Sequence, residues 1–226
     1  MCIRDSGNIE DDLHLLKDYD WVVEVIIENL EIKRNLYSKL IDCIGPNTIL
    51  SSNTSTIPRS ELVSELPEDI SSRFLITHFF NPPRYLPLLE VVTSPEVNDD
   101  VVSRFCDFAD RRLGKRVTMC NDRPGFIGNR LGVYFVQRAI KATLEHGLSV
   151  EQADAMLGRP IGLPKTGVFA LMDLIGIDLI PKVGESLQSR LDQEDPFHKI
   201  SGPGEDIIMS MIEEGNTGRK GKGGFY

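Results

Sequence analysis

Cysteine pairs, long apolar runs and broad basic clusters are all missing from this chain of 226 residues, and each absence removes a class of function. Its four cysteines, Cys2, Cys43, Cys106 and Cys120, are scattered, with no C-x-x-C spacing and no neighbouring histidine pair. That excludes a zinc site and reads as reduced, mostly packed thiols. Apolar runs such as Trp21-Val-Val-Glu-Val-Ile-Ile27 fall far short of the roughly 20 residues that span a bilayer. The N-terminus has no apolar signal core, so the expected location is cytoplasmic. A formal charge of -9, with basic residues clustered only at 111–116 and 219–222, argues against nucleic acid or an anionic membrane as the main partner.

What is present suffices for a core without metal or disulfide staples, since 41% of the residues are apolar. The run 21–27 predicts a strand buried on both faces, with Glu28 at its carboxyl end. Apolar spacing at 30, 32, 36, 37, 40, 41 and 44 predicts a helix over 30–44, and 48–52 predicts the next strand. A short helix over 59–66, a strand over 73–80, a helix over 99–113 and a strand over 116–120 continue the alternation. Asn121-Asp-Arg-Pro-Gly125 breaks it. Beyond lie helical patterns over 125–146, from the capping box Ser149-Val-Glu-Gln152 onward, over 169–191 with a break at Gly176 or Pro181, and over 204–214. The expected fold class is a partial Rossmann-type α/β domain over 1–123, then an all-α domain over 124–226. It is partial because no glycine-rich strand-turn-helix precedes residue 21. The chain reads as a fragment starting inside such a domain. Residues 1–6 have no link to the pattern that follows and are set aside as non-native.

Thr77-His-Phe-Phe-Asn-Pro82 and Leu88-Leu-Glu-Val-Val92 read as two strands around a proline-rich turn. In a hairpin centred near Arg84, positions summing to 168 face each other, which sets His78 opposite Glu90. Cross-strand partners lie about 5 Å apart at Cβ. A carboxylate there can hold one imidazole nitrogen while the other accepts a proton, making a general base with its orienter. A half-buried strand histidine with a salt-bridge partner is the plainer reading. Plainer readings also exist for the supports: Asn53 and Ser55 could make a turn or cap a helix. Asn129 and Lys33 could be exposed helix residues, Glu28 a sheet-end charge, and residues 218–224 a flexible basic tail.

Taken together, Ser52-Asn-Thr-Ser55, His78-Phe-Phe-Asn-Pro82, Leu89-Glu-Val91, Pro124-Gly-Phe-Ile-Gly-Asn-Arg130 and the Gly218-Arg-Lys to Gly224-Phe-Tyr226 tail resemble the L-3-hydroxyacyl-CoA dehydrogenase family of fatty-acid β-oxidation. The resemblance implies NAD-dependent oxidation of L-3-hydroxyacyl-CoA to 3-oxoacyl-CoA, with His78 and Glu90 as the catalytic pair. It further implies that Ser55 and Asn129 contact the substrate, and that Glu28, Lys33, Ser55, Asn81 and Lys220 lie against NAD. The helical domain would serve substrate binding and dimerisation, in a homodimer or a larger multifunctional chain, with the site in the cleft between domains. Two features depart from the family: the phosphate-binding glycines are missing, and Lys220 is followed by Gly-Lys where threonine or serine and glycine are usual. By itself the chain is therefore expected to be inactive. A non-catalytic fragment or binding module of the same superfamily is the alternative. A dehydrogenase of free 3-hydroxy acids would need a lysine base, and no lysine occupies a comparable motif.

Overall fold

The computed structural model describes residues 7–200 and 203–226, so the segment set aside as non-native, with Cys2, lies outside the described residues. Two compact units emerge, Met1–Ile127 and Gly128–Tyr226. The first is α/β and the second helical, the fold class expected from the pattern. Among the described residues no helix is long and apolar enough to cross a membrane.

In the first unit the order is β1 (Trp21–Glu24), α1 (Leu30–Leu40), β2 (Ile49–Ser52), α2 (Arg59–Val63), α3 (Glu68–Ser71), β3 (Phe74–Phe79), β4 (Leu88–Val92), α4 (Asp99–Arg111) and β5 (Arg116–Cys120). The five strands form one sheet in sequence order; β1, β2 and β3 are parallel, β4 is antiparallel to β3, and β5 is parallel to β4. Strand alternation sends Phe74 and Ile76 to one face, where Tyr37, Leu40, Leu62 and Ile70 pack, and Leu75 to the other, beside Leu89, Val101, Phe105 and Ala109. Burial on both faces explains why β3 reads as a continuous apolar run.

β1 and α1 are among the elements that end earlier than the pattern predicts. β1 stops at Glu24, and Val25 and Ile27 are 66% and 67% exposed. The cause is local: the Ile26 amide donates to Glu24 Oε1 at 2.6 Å, which turns the chain out of the sheet, and among the described residues β1 is an edge strand. α1 ends at Leu40 and not at 44, because the Gly45-Pro46 that follows forces a turn. The four-residue α3 went unforeseen, since it follows directly on Pro67 and is too short to show a period.

The second unit comprises α5 (Gly128–Glu145), α6 (Val150–Met156), α7 (Phe169–Ile175), α8 (Leu179–Gln188) and α9 (Pro203–Glu213). α5 starts three residues later than predicted because Gly125 and Phe126 have φ of +72° and +49°, outside the helical region. The expected capping box is present: Ser149 accepts the Gln152 amide and Gln152 accepts the Ser149 amide. Of the two candidate breaks in 169–191, Gly176 is the real one, with φ of +103°, whereas Pro181 sits in the first turn of α8, where its missing N–H costs nothing.

Candidate active site

The register of β3 on β4 pairs Ile76 with Val92, Thr77 with Val91, His78 with Glu90 and Phe79 with Leu89. His78 Nδ1 lies 2.7 Å from Glu90 Oε2, and both residues are buried. An ionised carboxylate can only accept, so Nδ1–H donates, and in the neutral ring Nε2 carries the lone pair. Phe80 and Phe126 wall the imidazole, with ring centroids 4.7 and 5.8 Å away. The other carboxylate oxygen, Glu90 Oε1, accepts the Ile127 amide at 3.0 Å. Phe126 reaches its place with a left-handed backbone, a cost that persists only where surrounding contacts enforce it. Burial first, then the Glu90 charge, push the neighbouring Cys120 thiol up to about 11.

Asp122 anchors this same 121–127 segment. Its carboxylate accepts the Arg59 and Ser60 amides at 2.5 and 2.9 Å and so covers the amino end of α2. The capping role open to Asn53 and Ser55 is therefore taken. Asn53 Oδ1 accepts the Phe79 amide at 2.9 Å, one residue from His78. Lys115, whose importance nothing in the sequence marks, pins the β3–β4 turn: its Nζ donates to the Pro83 carbonyl and, at 2.7 Å, to that of Leu86. Asn81 sits exposed in that turn.

A buried polar cluster lies at the carboxyl ends of β1 and β2. Glu24 Oε1 accepts Lys33 Nζ at 2.8 Å, and Oε2 accepts the Tyr37 hydroxyl at 2.7 Å and the Ser52 hydroxyl at 2.6 Å. Burial and then the Glu24 charge push the Tyr37 hydroxyl well above its ordinary value. Lys33 is 1% exposed, so the exposed-helix reading fails. Its ammonium is drawn in by Glu24, a partner that the acid inside an apolar run could have announced. Glu28 follows, its Oε2 3.5 Å from Lys33 and its Oε1 among the 54–56 backbone. Burial opposes its ionisation, but hydrogen bonds from Thr54, Ser55 and Thr56, together with Lys33, hold the carboxyl below the usual range.

In the second unit Asn129 is half-buried in the first turn of α5. Lys220 is exposed and pairs with Asp178 Oδ1 at 2.6 Å; that bond is the first cause of Asp178 lying below the ordinary carboxyl value. The tail is not the flexible basic segment that one reading allowed. Asp173 accepts the Phe225 and Tyr226 amides at 2.9 and 3.1 Å, the Tyr226 hydroxyl donates to Asp154 at 3.0 Å, and Phe225 meets Phe169 edge-on at 5.0 Å.

Of the residues that the resemblance assigns to the dinucleotide, Glu28, Ser55 and Asn81 follow the carboxyl ends of β1, β2 and β3, where open parallel sheets bind their ligands. These fit the group. Lys33 is enclosed and would act through Glu28, and Lys220 lies in the other unit. No glycine-rich strand-turn-helix among the described residues offers a pyrophosphate cradle.

Residues 3–123 match the family model described as 3-hydroxyacyl-CoA dehydrogenase, NAD binding domain, and residues 125–226 the model of the 3-hydroxyacyl-CoA dehydrogenase C-terminal domain. The chain is 43% identical over 220 residues to a Rickettsia prowazekii protein provisionally named a fatty acid oxidation complex trifunctional enzyme, covering 97% of this chain and 30% of that protein. It is 31% identical over 216 residues to a Mycobacterium tuberculosis 3-hydroxybutyryl-CoA dehydrogenase, covering 95% of this chain and 72% of the relative. The crystal structure of a Ralstonia eutropha (S)-3-hydroxybutyryl-CoA dehydrogenase aligns with a TM-score of 0.82 at 28% identity, covering 95% of this chain and 72% of that one. This chain thus spans under a third of the length of the Rickettsia relative.

Proposed function

Because the chain belongs to the 3-hydroxyacyl-CoA dehydrogenase family, its two parts matching that family's NAD-binding and C-terminal domains, we propose that the whole protein oxidises L-3-hydroxyacyl-CoA to 3-oxoacyl-CoA with His78 and Glu90 as its proton-handling pair. The observation that carries this reading is the 2.7 Å contact between His78 Nδ1 and Glu90 Oε2 in a buried, in-register pair. His78 Nε2 takes the hydroxyl proton of the substrate while Glu90 stabilises the imidazolium that forms. When bound, NAD supplies the acceptor for the C3 hydrogen as hydride. Ile127 keeps Glu90 from rotating out of line, and the rings of Phe80 and Phe126 keep water from the imidazole. Ser55 holds the reacting oxygen within reach of Nε2, which is catalysis by proximity, and Asn129, in the second unit, is assigned a substrate contact.

The same reading assigns Glu28, Ser55, Asn81 and Lys220 to NAD, with Lys33 acting behind Glu28. It sets the reaction in cytoplasmic fatty-acid β-oxidation and gives the second unit the substrate side and a dimer contact. Steady-state reduction of an acetoacetyl thioester by the whole enzyme tests it. His78→Gln or Glu90→Gln should lower turnover by about 10² or more with the fold retained, and near-normal turnover in both variants ends this assignment. A second reading is a binding module without turnover: among the described residues no glycine-rich strand-turn-helix offers a pyrophosphate cradle. Calorimetric titration of this chain with NADH separates the two.

A further inference from the structure

The polar run 52–56 deploys its side chains unequally. Ser52 donates to Glu24, Asn53 receives Phe79, and the buried Thr54 and Thr56 donate from their hydroxyls to Glu28 Oε1 at 2.6 and 3.1 Å. The Ser55 and Thr56 amides end on that same oxygen at 2.9 and 3.0 Å. Thr54 Oγ1 also accepts the Ile57 amide at 3.1 Å, which closes the turn. Four donors from three consecutive residues thus converge on one carboxylate oxygen, an arrangement in which the loop is wrapped around the charge.

We propose that Glu28 is a positioning residue for Ser55, and that this one carboxylate couples the cofactor side of the site to the substrate side. The proposal rests on the functional reading above for the role of Ser55. Glu28 Oε1 is committed to the 54–56 loop. Oε2 stands 3.5 Å from Lys33, and with the side chain 38% exposed the carboxylate keeps an open face toward the ligand. Lys33 cannot follow a moving carboxylate, because its ammonium is held at 2.8 Å by the buried Glu24. Glu28 is therefore gripped from behind by Lys33, itself anchored by Glu24, and grips Ser55 in front. A ligand that orders Glu28 also orders the backbone of Ser55, so that filling one side prepares the other.

Amide hydrogen exchange on this chain tests the grip without any turnover. In Glu28→Ala, exchange at Ser55 and Thr56 should rise by about tenfold or more while β3 stays protected, and Glu28→Gln, which keeps an acceptor oxygen, should restore part of the protection. Unchanged exchange in Glu28→Ala overturns the proposal. Kinetics of the whole enzyme add an independent arm, because the Thr54→Val/Thr56→Val double variant removes the loop's hydroxyls and leaves the ligand face of Glu28 intact. Its KM for acyl-CoA should rise several-fold and its Kd for NADH should rise with it, since Ser55 serves both ligands. A change confined to NADH overturns the coupling. Failure of the His78 and Glu90 variants to lose turnover would sink the functional reading and leave the exchange result standing.

Discussion

Both units bury carboxylates, and they use them differently. In the second unit Asp154 accepts the Val168, Phe169 and Ala170 amides at 2.6, 2.8 and 2.9 Å, and Asp173 accepts those of Phe225 and Tyr226. Their partners are backbone amides and, on Asp154, the Tyr226 hydroxyl, which burial and then Asp154 push up to about 12, so these acids hold a helix start and a tail in place. In the first unit Glu90 faces an imidazole, a partner able to accept and give back a proton, and Glu28 faces a loop beside an exposed flank. On the proposed reading, a carboxylate held by amides serves architecture and one set against an imidazole serves chemistry.

Substitution separates the two roles most sharply. Glu90→Gln should lower kcat by about 10² or more with a thermal unfolding midpoint close to that of the parent. Asp173→Ala should do the reverse: a loss of about 1–3 kcal/mol in urea unfolding, since two part-buried amides lose a charged acceptor. Full stability in that variant would erase the distinction drawn here. Lys115→Met comes next, costing about 1–2 kcal/mol as the Pro83 and Leu86 carbonyls lose their donor. Hydrogen exchange should locate that loss in the β3–β4 turn.

Smaller effects depend on pH. The Glu28 carboxyl lies below its ordinary 4.5 in the folded chain, so its contribution is complete above that value and is lost as pH falls through the depressed one. The Ser55 amide resonance should report that titration in acid and be silent in Glu28→Gln. Cys120 shifts the other way: with the thiol pushed up to about 11 from 9.0, the fold favours the neutral form, and its contribution is lost as pH rises past the unfolded value. Glu90→Gln removes one cause of that shift. Alkylation of Cys120 at pH 9 should then speed up modestly, and an unchanged rate would mean that Glu90 carries no charge beside it.

The parts of this molecule legible in the sequence are those decided by neighbours along the chain. Alternation on either side of a proline-rich turn was enough to set His78 against Glu90, because a hairpin leaves few registers. The parts that were illegible are decided by distant partners. Lys33 has an ordinary helical position, and only Glu24, on a strand that closes over it, makes it a buried residue. Phe126 and Ile127 lie in a breaker segment where neither period applies, yet they complete the surroundings of the pair. Val25 and Ile27 misled in the opposite direction, since apolar composition alone could not foretell that the chain leaves the sheet after Glu24. Asp173 and the tail it holds are 52 residues apart, beyond any local pattern.

The glycines of that tail carry one more consequence. A methyl group on Gly224 would stand 2.1 Å from an Asp173 carboxylate oxygen, and one on Gly218 2.4 Å from the Asp173 carbonyl, so neither position admits even alanine unless its surroundings shift. A survey of tolerated substitutions would therefore score these two chemically idle positions as harshly as the imidazole. The amount of soluble protein recovered tells the two apart: losing a glycine should empty the tube, whereas losing the imidazole should, on the proposed reading, fill it with well-folded protein that has lost only its turnover.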